Sequence, residues 1–431
     1  MKTINKLFSK IIKELHLEQL FWECWQEAPR KCKDFKVFFQ NIIFLMLFRA
    51  FCFHSTIHKE LGLTSQARAC YRILRNEYYD FSKVVNRLAI RELRSHIVAN
   101  NQGSPSYRSR NKIFIVIDET ILRKTTDGFE EVKKFPGKGN EHCFVAINIL
   151  LVINGKEYNL PLSQQIIPAT LQDGTKIDAT VKMLEQILLP LKEEGHRLKD
   201  ITLLGDREYL CDKINKVCVS NEVTFECMLK RNTKLMDDTG MEQQAKEWIA
   251  TEKKNGFRGF KQSAQLSTWC RKHNHPDFLY KAKILDTRVL GRVKVVMVYP
   301  LKTKFSDKEI KIYVSTDTRK SSPNIIRDFR EIRWIIERPF HYSLKTDLEM
   351  ERNYQGRSFI GIKNNYALTC LGYFVIVKWK KQNRKSSWTF GEVKRYLSKY
   401  FASLNYNYSI NCNGKNKKKA LCEFAKFNSA I

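Results

Sequence analysis

Three acidic residues have the types and positions that phosphoryl-transfer chemistry requires: Asp118 in IFIVIDET, Asp206 in ITLLGDREYL and Glu337 in EIRWIIERPF. The first two follow runs of apolar, β-branched residues that are typical of buried strands, so we expect each carboxylate at a strand end. Glu337 lies in a long helical pattern. The acids are 88 and 131 residues apart, so the fold must bring them together.

Carboxylates that meet in this way repel each other unless a cation lies between them. Two Mg²⁺ ions, about 3.5–4 Å apart, are the usual arrangement when the substrate is a phosphodiester. The pattern therefore predicts a two-metal site in an enzyme that cuts and joins DNA.

The net charge indicates a polyanionic partner. The chain has 76 Lys and Arg against 45 Asp and Glu, a formal charge of +31 on 431 residues. This exceeds what solubility requires, and nucleic acid is the simplest partner. Residues 376–431 hold 13 Lys or Arg and two acids, so we expect them to follow a phosphate backbone, with a merely solvated basic tail as the alternative.

The composition predicts a globular protein in a reducing compartment. With 43% hydrophobic and 12% aromatic residues, the chain can bury a large core in two or three domains. The twelve cysteines are scattered without a C-x-x-C pair, which favours free thiols. Cys270, His273 and His275 are three candidate zinc ligands without an obvious fourth, so an ordinary loop is favoured there.

No secretory or membrane-spanning segment is predicted. The N-terminus alternates charged and apolar residues at helical spacing, which is typical of an amphipathic helix. The longest apolar runs, Ile42–Phe48 and Leu371–Val377, have seven residues each. A bilayer requires roughly 20, so we expect these runs in buried helices and the protein in the cytoplasm.

Residues 1–110 have helical spacing and predict an all-helical DNA-binding domain. Within it, residues 55–80 have the pattern of a helix, a Gly-containing turn and a second helix, which carries Arg68, Arg72 and Arg75. Spacings of three and four place these arginines along one face, as a recognition helix in a major groove requires. A basic amphipathic helix that only packs fits the same pattern.

From residue 111 the pattern changes to that of an α/β domain. The predicted elements are a strand at 112–117, a hairpin at 143–162 around Asn154-Gly155, a helix at 178–194, and strands at 201–204 and 223–229. The Asn-Gly pair is a strong hairpin signal. The order of these elements predicts a ribonuclease H-like catalytic core, whose first part spans residues 111–230.

The second half of the chain divides into three parts. Residues 231–310 predict a strand-rich insertion, and residues 311–375 predict the second part of the catalytic core. Residues 324–349 form one long helical pattern that only Pro339 interrupts, two residues after Glu337. Residues 376–431 predict a basic helical C-terminal region.

These motifs resemble the DDE transposases of bacterial insertion sequences, in the insertion-sequence-four group. The likeness covers roughly residues 112–357. It rests on Asp118 after a hydrophobic strand, on Asp206 in GDREY, and on RWIIERPFHYSLK around Glu337. A strand-rich insertion before the last acid adds to it.

That group has a Y-x2-R-x3-E-x6-K signature, and Arg333 with Glu337 matches its R-x3-E part. Arg330, preceded by Phe329, stands where the signature has Tyr, and Lys345 comes one residue late. On a regular helix the extra residue would turn Lys345 away from the face of Glu337. We therefore predict a kink or a π-bulge near Pro339 that absorbs it.

The resemblance implies a role for each residue. Asp118 would bridge two Mg²⁺ ions, for which Mn²⁺ can substitute, and Asp206 and Glu337 would each complete the shell of one ion. Arg333 and Lys345 would hold DNA phosphates near the reacting bond. Further DNA-contacting candidates are Arg207, Tyr209 and Arg330.

In this family an aromatic residue of the insertion stacks on a flipped base during excision. The candidates here are Trp269, Tyr299 and Phe305. The implied partners are the terminal inverted repeats of the element and a target DNA, bound by a homodimer on paired ends. No small-molecule substrate is implied.

The resemblance predicts a cut-and-paste DNA transposase. One alternative is a DNA-binding derivative, domesticated or inhibitory, that keeps the fold without catalysis, although the presence of all three carboxylates argues against it. Another is a metal-dependent nuclease that cuts without strand transfer. The nuclease would share the same site, and only joined products separate it from a transposase.

Overall fold

The structure is a computed structural model, and its described residues are 9–29, 34–39, 42, 43, 46, 72–124, 128–134, 142–153, 158–168, 175–301, 309–348, 350, 358–393, 395 and 396. Several sequence predictions lie outside these ranges. They are the Asn154-Gly155 turn, most of the helix-turn-helix pattern with Arg68, the aromatic Phe305, and the C-terminal region from residue 397 on.

The strands form one mixed sheet. In chain order they are β1 Ile113–Lys124, β2 Lys133–Lys134, β3 His142–Ile153, β4 Tyr158–Ile167, β5 Ile201–Gly205, β6 Thr224–Met228, β7 Lys234–Met236, β8 Glu242–Gln244, β9 Phe278–Thr287, β10 Gly291–Pro300 and β11 Lys311–Ser315. Across the sheet their order is β2-β3-β1-β5-β6-β11-β10-β9-β7-β8, and β4 pairs with β3.

The central strands have the arrangement that the sequence predicted. β1 pairs in parallel with β5, and β5 pairs in parallel with β6. β3 runs antiparallel to β1, and β4 runs antiparallel to β3. This mixed α/β architecture is consistent with a ribonuclease H-like transposase core.

The segment between β6 and β11 extends the same sheet. β11 pairs with both β6 and β10, and β10 pairs with β9 in a long antiparallel ladder. The long strands β9 and β10 lie within residues 231–310, for which the sequence predicted a strand-rich insertion. The segment also contains two helices that the sequence pattern did not predict.

The described α-helices flank the sheet. They are α1 Leu17–Glu27, α2 Phe81–Gln102, α3 Pro105–Arg110, α4 Thr175–Glu193, α5 Asp212–Ser220, α6 Ala245–Lys254, α7 Ala264–Lys272, α8 Ser322–Arg327 and α9 Phe359–Gln382. Their buried side chains belong to a hydrophobic core that continues into the strands.

Helix α2 connects the N-terminal segment to the sheet. It packs against β4, against α9 and against α1. The buried Asn364 of α9 accepts a hydrogen bond from the Phe81 amide at 3.1 Å and donates to the Leu74 and Tyr79 carbonyls at 3.1 and 2.8 Å. The described part of the N-terminal segment therefore packs on the α/β part, and the predicted domain boundary at residue 110 stays a prediction.

Helix α9 is a core helix. Among the described residues it is the one helix that is long and apolar enough to span a membrane, but 89% of its apolar 18-residue stretch is buried inside the protein. Its apolar side chains pack on β4 and on α2. The predicted burial of Leu371–Val377 is confirmed.

The helical segment that carries Glu337 is irregular. After α8, wide π-helical turns span Asp328–Ile332, Ile336–His341 and Ser343–Asp347, with one α-helical turn at Arg333–Ile335. Arg338 leaves helical geometry altogether, with φ −136° and ψ 112°. The break that the sequence predicted near Pro339 is therefore present.

Candidate active site

Asp118 does not emerge at a strand end, contrary to the sequence prediction. β1 continues to Lys124 because β3 pairs with it over all twelve residues. Its parallel neighbour β5, in contrast, pairs with β1 only as far as Val116. The 8% exposed Asp118 side chain thus lies just beyond the end of β5, beside a continuous antiparallel ladder.

Asp206 follows β5 directly, as predicted. Its carboxylate accepts a hydrogen bond from the Arg207 amide at 2.5 Å and so caps the short 3₁₀ turn Arg207–Tyr209. A Cβ at Gly205 would lie 3.1 Å from the Tyr209 Cβ, so glycine allows this turn to fold back tightly. The GDREY motif therefore places Asp206 at the edge of the sheet.

Arg333 brings the three carboxylates together. Its Nη2 lies 3.7 Å from Asp118 Oδ2 and 3.4 Å from Asp206 Oδ2, and its Nη1 donates a short hydrogen bond to Glu337 Oε1. The π-helical turn Ile336–His341, which contains Glu337, packs against β1 and so lies beside Asp118. The predicted triad converges on one buried guanidinium.

The electrostatics show how close these acids are. The pKa of Asp118 is raised to about 7: burial is the largest cause, the neighbouring Glu337 and Asp206 carboxylates add to the rise, and Arg333 opposes it. Burial lowers the pKa of Arg333, but the three carboxylates outweigh it, so the net shift is upward. Three acids facing one point thus require a cation at that point.

The donor set fits a hard divalent cation, because carboxylate oxygens are the ligands that Mg²⁺ prefers. Asp118, Asp206 and Glu337 would hold such ions. No group of three His, Cys, Asp or Glu side chains within the described ranges forms a ready metal site. The guanidinium of Arg333 takes the cationic position instead, so metal binding requires this side chain to move.

The family comparison agrees with this geometry. Residues 109–374 match the family model described as transposase DDE domain, and all three carboxylates lie within the match. The chain belongs to this DDE transposase family. Its members act on DNA and generally use divalent metal ions.

Other comparisons add little to the assignment of this transposase. No protein with a curated description matches the chain. Among solved structures it is similar to the NurA nuclease from Sulfolobus solfataricus, with 10% sequence identity over 66% of this chain and 94% of that chain. The TM-score of 0.24 is too low for this likeness to carry any argument.

A basic cluster of Arg207, Arg231, Lys311 and Arg330 lies beside Asp206. Arg207 and Arg330 are predicted DNA contacts. Burial and the nearby charges of Arg330, Arg207 and Arg231 lower the pKa of Lys311. Arg330 also lies over the Phe278 ring, 4.5 Å from its centroid. The sequence analysis missed Lys311 and Arg231, although Arg231 follows β6 at the same sheet edge at which Asp206 follows β5.

The remaining predicted DNA contacts are placed only in part. Arg72 and Arg75 are exposed in a short helical stretch. The Arg75 stem packs near Gly361, at the start of α9. Lys345 lies near His341, where its charge helps to lower the pKa of that buried imidazole.

Trp269 and Tyr299, the two predicted stacking residues within the described part of the insertion, are occupied by protein contacts. Trp269 is 7% exposed, its indole donates to Glu331 at 3.1 Å, and its ring stacks on His273 and His275. The Tyr299 ring lies 4.2 Å from that of Phe257.

A different aromatic residue is available near the acids. Trp334 follows Arg333 directly and is 46% exposed. The sequence analysis did not single out Trp334, and its exposure in the fold is what distinguishes it.

Proposed function

We propose that this chain is a DNA transposase of the insertion-sequence-four group that cleaves element ends and transfers them into a target. The observation that carries this proposal is the convergence of Asp118, Asp206 and Glu337 on one cationic position at the edge of the sheet. It lies inside the segment that matches the transposase family.

Each carboxylate has a distinct part in the proposed reaction. Asp118, the most buried of the three, would hold both Mg²⁺ ions, while Asp206 and Glu337 would each hold one. When bound, the two ions supply activation of the attacking water or 3′-hydroxyl and stabilisation of the leaving oxygen. Mn²⁺ would serve in their place.

Arg333 would change partners during the reaction. In the free protein its guanidinium is the shared cationic partner of the three acids. Once these acids bind metal, its fork of donors becomes available to a DNA phosphate beside the reacting bond. Because the same guanidinium would serve first the carboxylates and then the phosphate, metal binding and DNA binding would be coupled.

The basic cluster of Arg207, Lys311 and Arg330 would bind the backbone that flanks this phosphate. Burial and, after it, these like charges lower the pKa of Lys311, and a phosphate would relieve the repulsion between the charges. The exposed Trp334 would stack on a base next to the cleaved position. Lys345 would likewise hold a DNA phosphate near the reacting bond.

We propose a homodimer on paired element ends, acting in the bacterial cytoplasm on the nucleoid. The test is an assay for cleavage and joining with DNA that carries the flanking ends of the gene itself, in Mg²⁺ or Mn²⁺. Wild type is compared with Asp206→Ala and with Asp212→Ala, an exposed carboxylate of α5 whose partner is Lys216.

Metal-dependent nicks and joined products are expected for wild type and Asp212→Ala. Asp206→Ala should lose at least about 10³-fold in rate, since a metal contributes several kcal/mol to the transition state. Cleavage without joining would favour the nuclease. Binding without any cleavage by wild type would favour a DNA-binding derivative.

A further inference from the structure

A buried hydrogen-bonded network lies beside the carboxylates and has no part in the reaction described above. It joins Asn148 of β3, His341 from the turns after Glu337, and Tyr366 of α9. All three side chains are buried, and Asn148 is completely inaccessible to solvent. Buried polar groups of this kind hold a fixed geometry only when their hydrogen bonds are satisfied.

The hydrogen bonds fix the roles of the groups. Tyr366 Oη donates to Asn148 Oδ1 at 2.7 Å, and Asn148 Nδ2 lies 3.1 Å from His341 Nε2. The amide therefore donates to an unprotonated ring nitrogen. Burial, together with the charges of Lys345 and Arg333, lowers the pKa of His341 to about 3, so the imidazole is a neutral acceptor at physiological pH.

The strand register places this network next to the site. Asn148 is directly opposite Asp118 in the β1–β3 ladder. Side chains at directly opposite positions lie on the same face of a sheet, about 4.5–5.5 Å apart at Cβ. His341 is four residues beyond Glu337, at the end of the turns that pack on β1. The network thus joins the strand of Asp118 to the helical segment of Glu337.

We propose that Asn148, His341 and Tyr366 are positioning residues that set the separation of the Asp118 and Glu337 carboxylates for metal binding. This inference rests on the proposed function. The segment around Glu337 departs from regular helix geometry at Arg338, so it needs an external anchor. Metal ligands must be held to within about 0.5 Å, which such supporting hydrogen bonds provide.

The chain contains a matched control. Tyr373 lies seven residues after Tyr366 in α9. Its hydroxyl donates a hydrogen bond to Asn159 of β4, and both side chains are buried. Asn159 pairs with Val152, whose partner in β1 is Phe114, four residues before Asp118. Tyr373→Phe therefore removes a buried, hydrogen-bonded tyrosine hydroxyl from the same helix as Tyr366→Phe does, but at a position away from the carboxylates.

The experiment compares full-length Tyr366→Phe, His341→Leu and His341→Gln with Tyr373→Phe. Mn²⁺ affinity is measured by electron paramagnetic resonance, with and without end DNA. The Mn²⁺ concentration for half-maximal cleavage, the DNA Kd and the Tm are measured on the same samples. His341→Gln keeps a side-chain acceptor for Asn148.

We expect Tyr366→Phe and His341→Leu to weaken Mn²⁺ binding about 10-fold or more, with an equal rise in the half-maximal Mn²⁺ concentration. Tyr373→Phe should leave the Mn²⁺ affinity and the half-maximal Mn²⁺ concentration within about threefold of wild type, at a comparable loss of Tm. The Mn²⁺ affinity of His341→Gln should lie between those of wild type and His341→Leu. The DNA Kd measured in EDTA should not change, because the basic surface is intact in all of these variants.

Equal effects of Tyr366→Phe and Tyr373→Phe, or an unchanged Mn²⁺ affinity in Tyr366→Phe, would overturn the inference. Wild type that binds Mn²⁺ but never cleaves DNA would remove the proposed function, while the Mn²⁺ comparison would still decide the role of the network. Wild type that binds no Mn²⁺ with or without DNA would overturn both.

Discussion

Arg333 is the residue on which the metal-free site depends. Its guanidinium contacts all three carboxylates while its side chain is only 10% exposed. Removing one partner from a buried ionic group leaves the others uncompensated, and this costs more than the loss of an exposed ion pair.

Arg333→Gln should therefore destabilise the metal-free protein by about 3 kcal/mol, measured by chemical unfolding in EDTA. Mn²⁺ should restore more stability to this variant than it adds to wild type, because the ion then takes the cationic position without competition. Arg94→Gln, which removes the exposed pair with Glu194, should cost less than about 1 kcal/mol. Equal losses in the two variants would show that Arg333 is not the counter-ion of the site.

A second prediction concerns cleavage and DNA binding by variants of the three carboxylates. Asp118→Asn, Asp206→Asn and Glu337→Gln each remove a charge that binds metal but leave the basic surface intact. Each should abolish cleavage while the Kd for DNA, measured by fluorescence anisotropy in EDTA, stays equal or decreases. If one of these variants cleaves at the wild-type rate, the residue that it replaces is not a ligand of the proposed metal site.

At the scale of elements, the sequence predicted those parts whose signals are local. The apolar runs before Asp118 and Asp206 indicated β1 and β5 because a buried strand requires such residues. The continuation of β1 beyond Asp118 was not predictable, since it depends on pairing with the distant β3. Likewise, the burial of Trp269 depends on contacts with Glu331, 62 residues away.

A buried ionic cluster between β6, β11 and α8 gives a pH prediction. Lys320 Nζ lies 2.6 Å from Glu226 Oε1 and 2.5 Å from Asp328 Oδ2, while Ser315 donates to Glu226 at 3.1 Å. Burial raises the pKa of Glu226 to about 7, above its usual value of 4.5. The folded state therefore binds a proton that the unfolded state has already released between these two pH values.

The stability that this proton contributes is complete below pH 4.5 and is lost as the pH rises to about 7. Relative to Glu226→Gln, wild type should lose at least about 1 kcal/mol of unfolding free energy between pH 5 and pH 7.5, measured by urea denaturation. A difference between the two proteins that does not vary with pH would contradict the raised pKa.

At the scale of the whole molecule, we expect the charge of +31 to dominate association with DNA. The sequence predicted this partner from composition alone, but only the fold gathers Arg207, Arg330 and Lys311 beside Asp206. The family match over residues 109–374 and the sheet order agree with the predicted catalytic core.

Binding to duplex DNA should therefore weaken steeply with salt. If six to ten phosphates are neutralised, affinity falls roughly 10³- to 10⁵-fold between 50 and 200 mM salt. The double variant Arg207→Gln, Lys311→Gln should reduce the slope of log K against log salt by about 0.9 for each phosphate that the protein no longer neutralises. A nearly flat salt response of wild type would argue against a nucleic-acid partner.

The most direct test of the central claim is the location of Mn²⁺ by anomalous X-ray diffraction from crystals of the protein with end DNA. The proposed mechanism predicts anomalous peaks within coordination distance of Asp118, Asp206 and Glu337, with the Arg333 guanidinium moved away from them. Peaks elsewhere, or a guanidinium still bound to all three carboxylates in a complex that cleaves DNA, would contradict it.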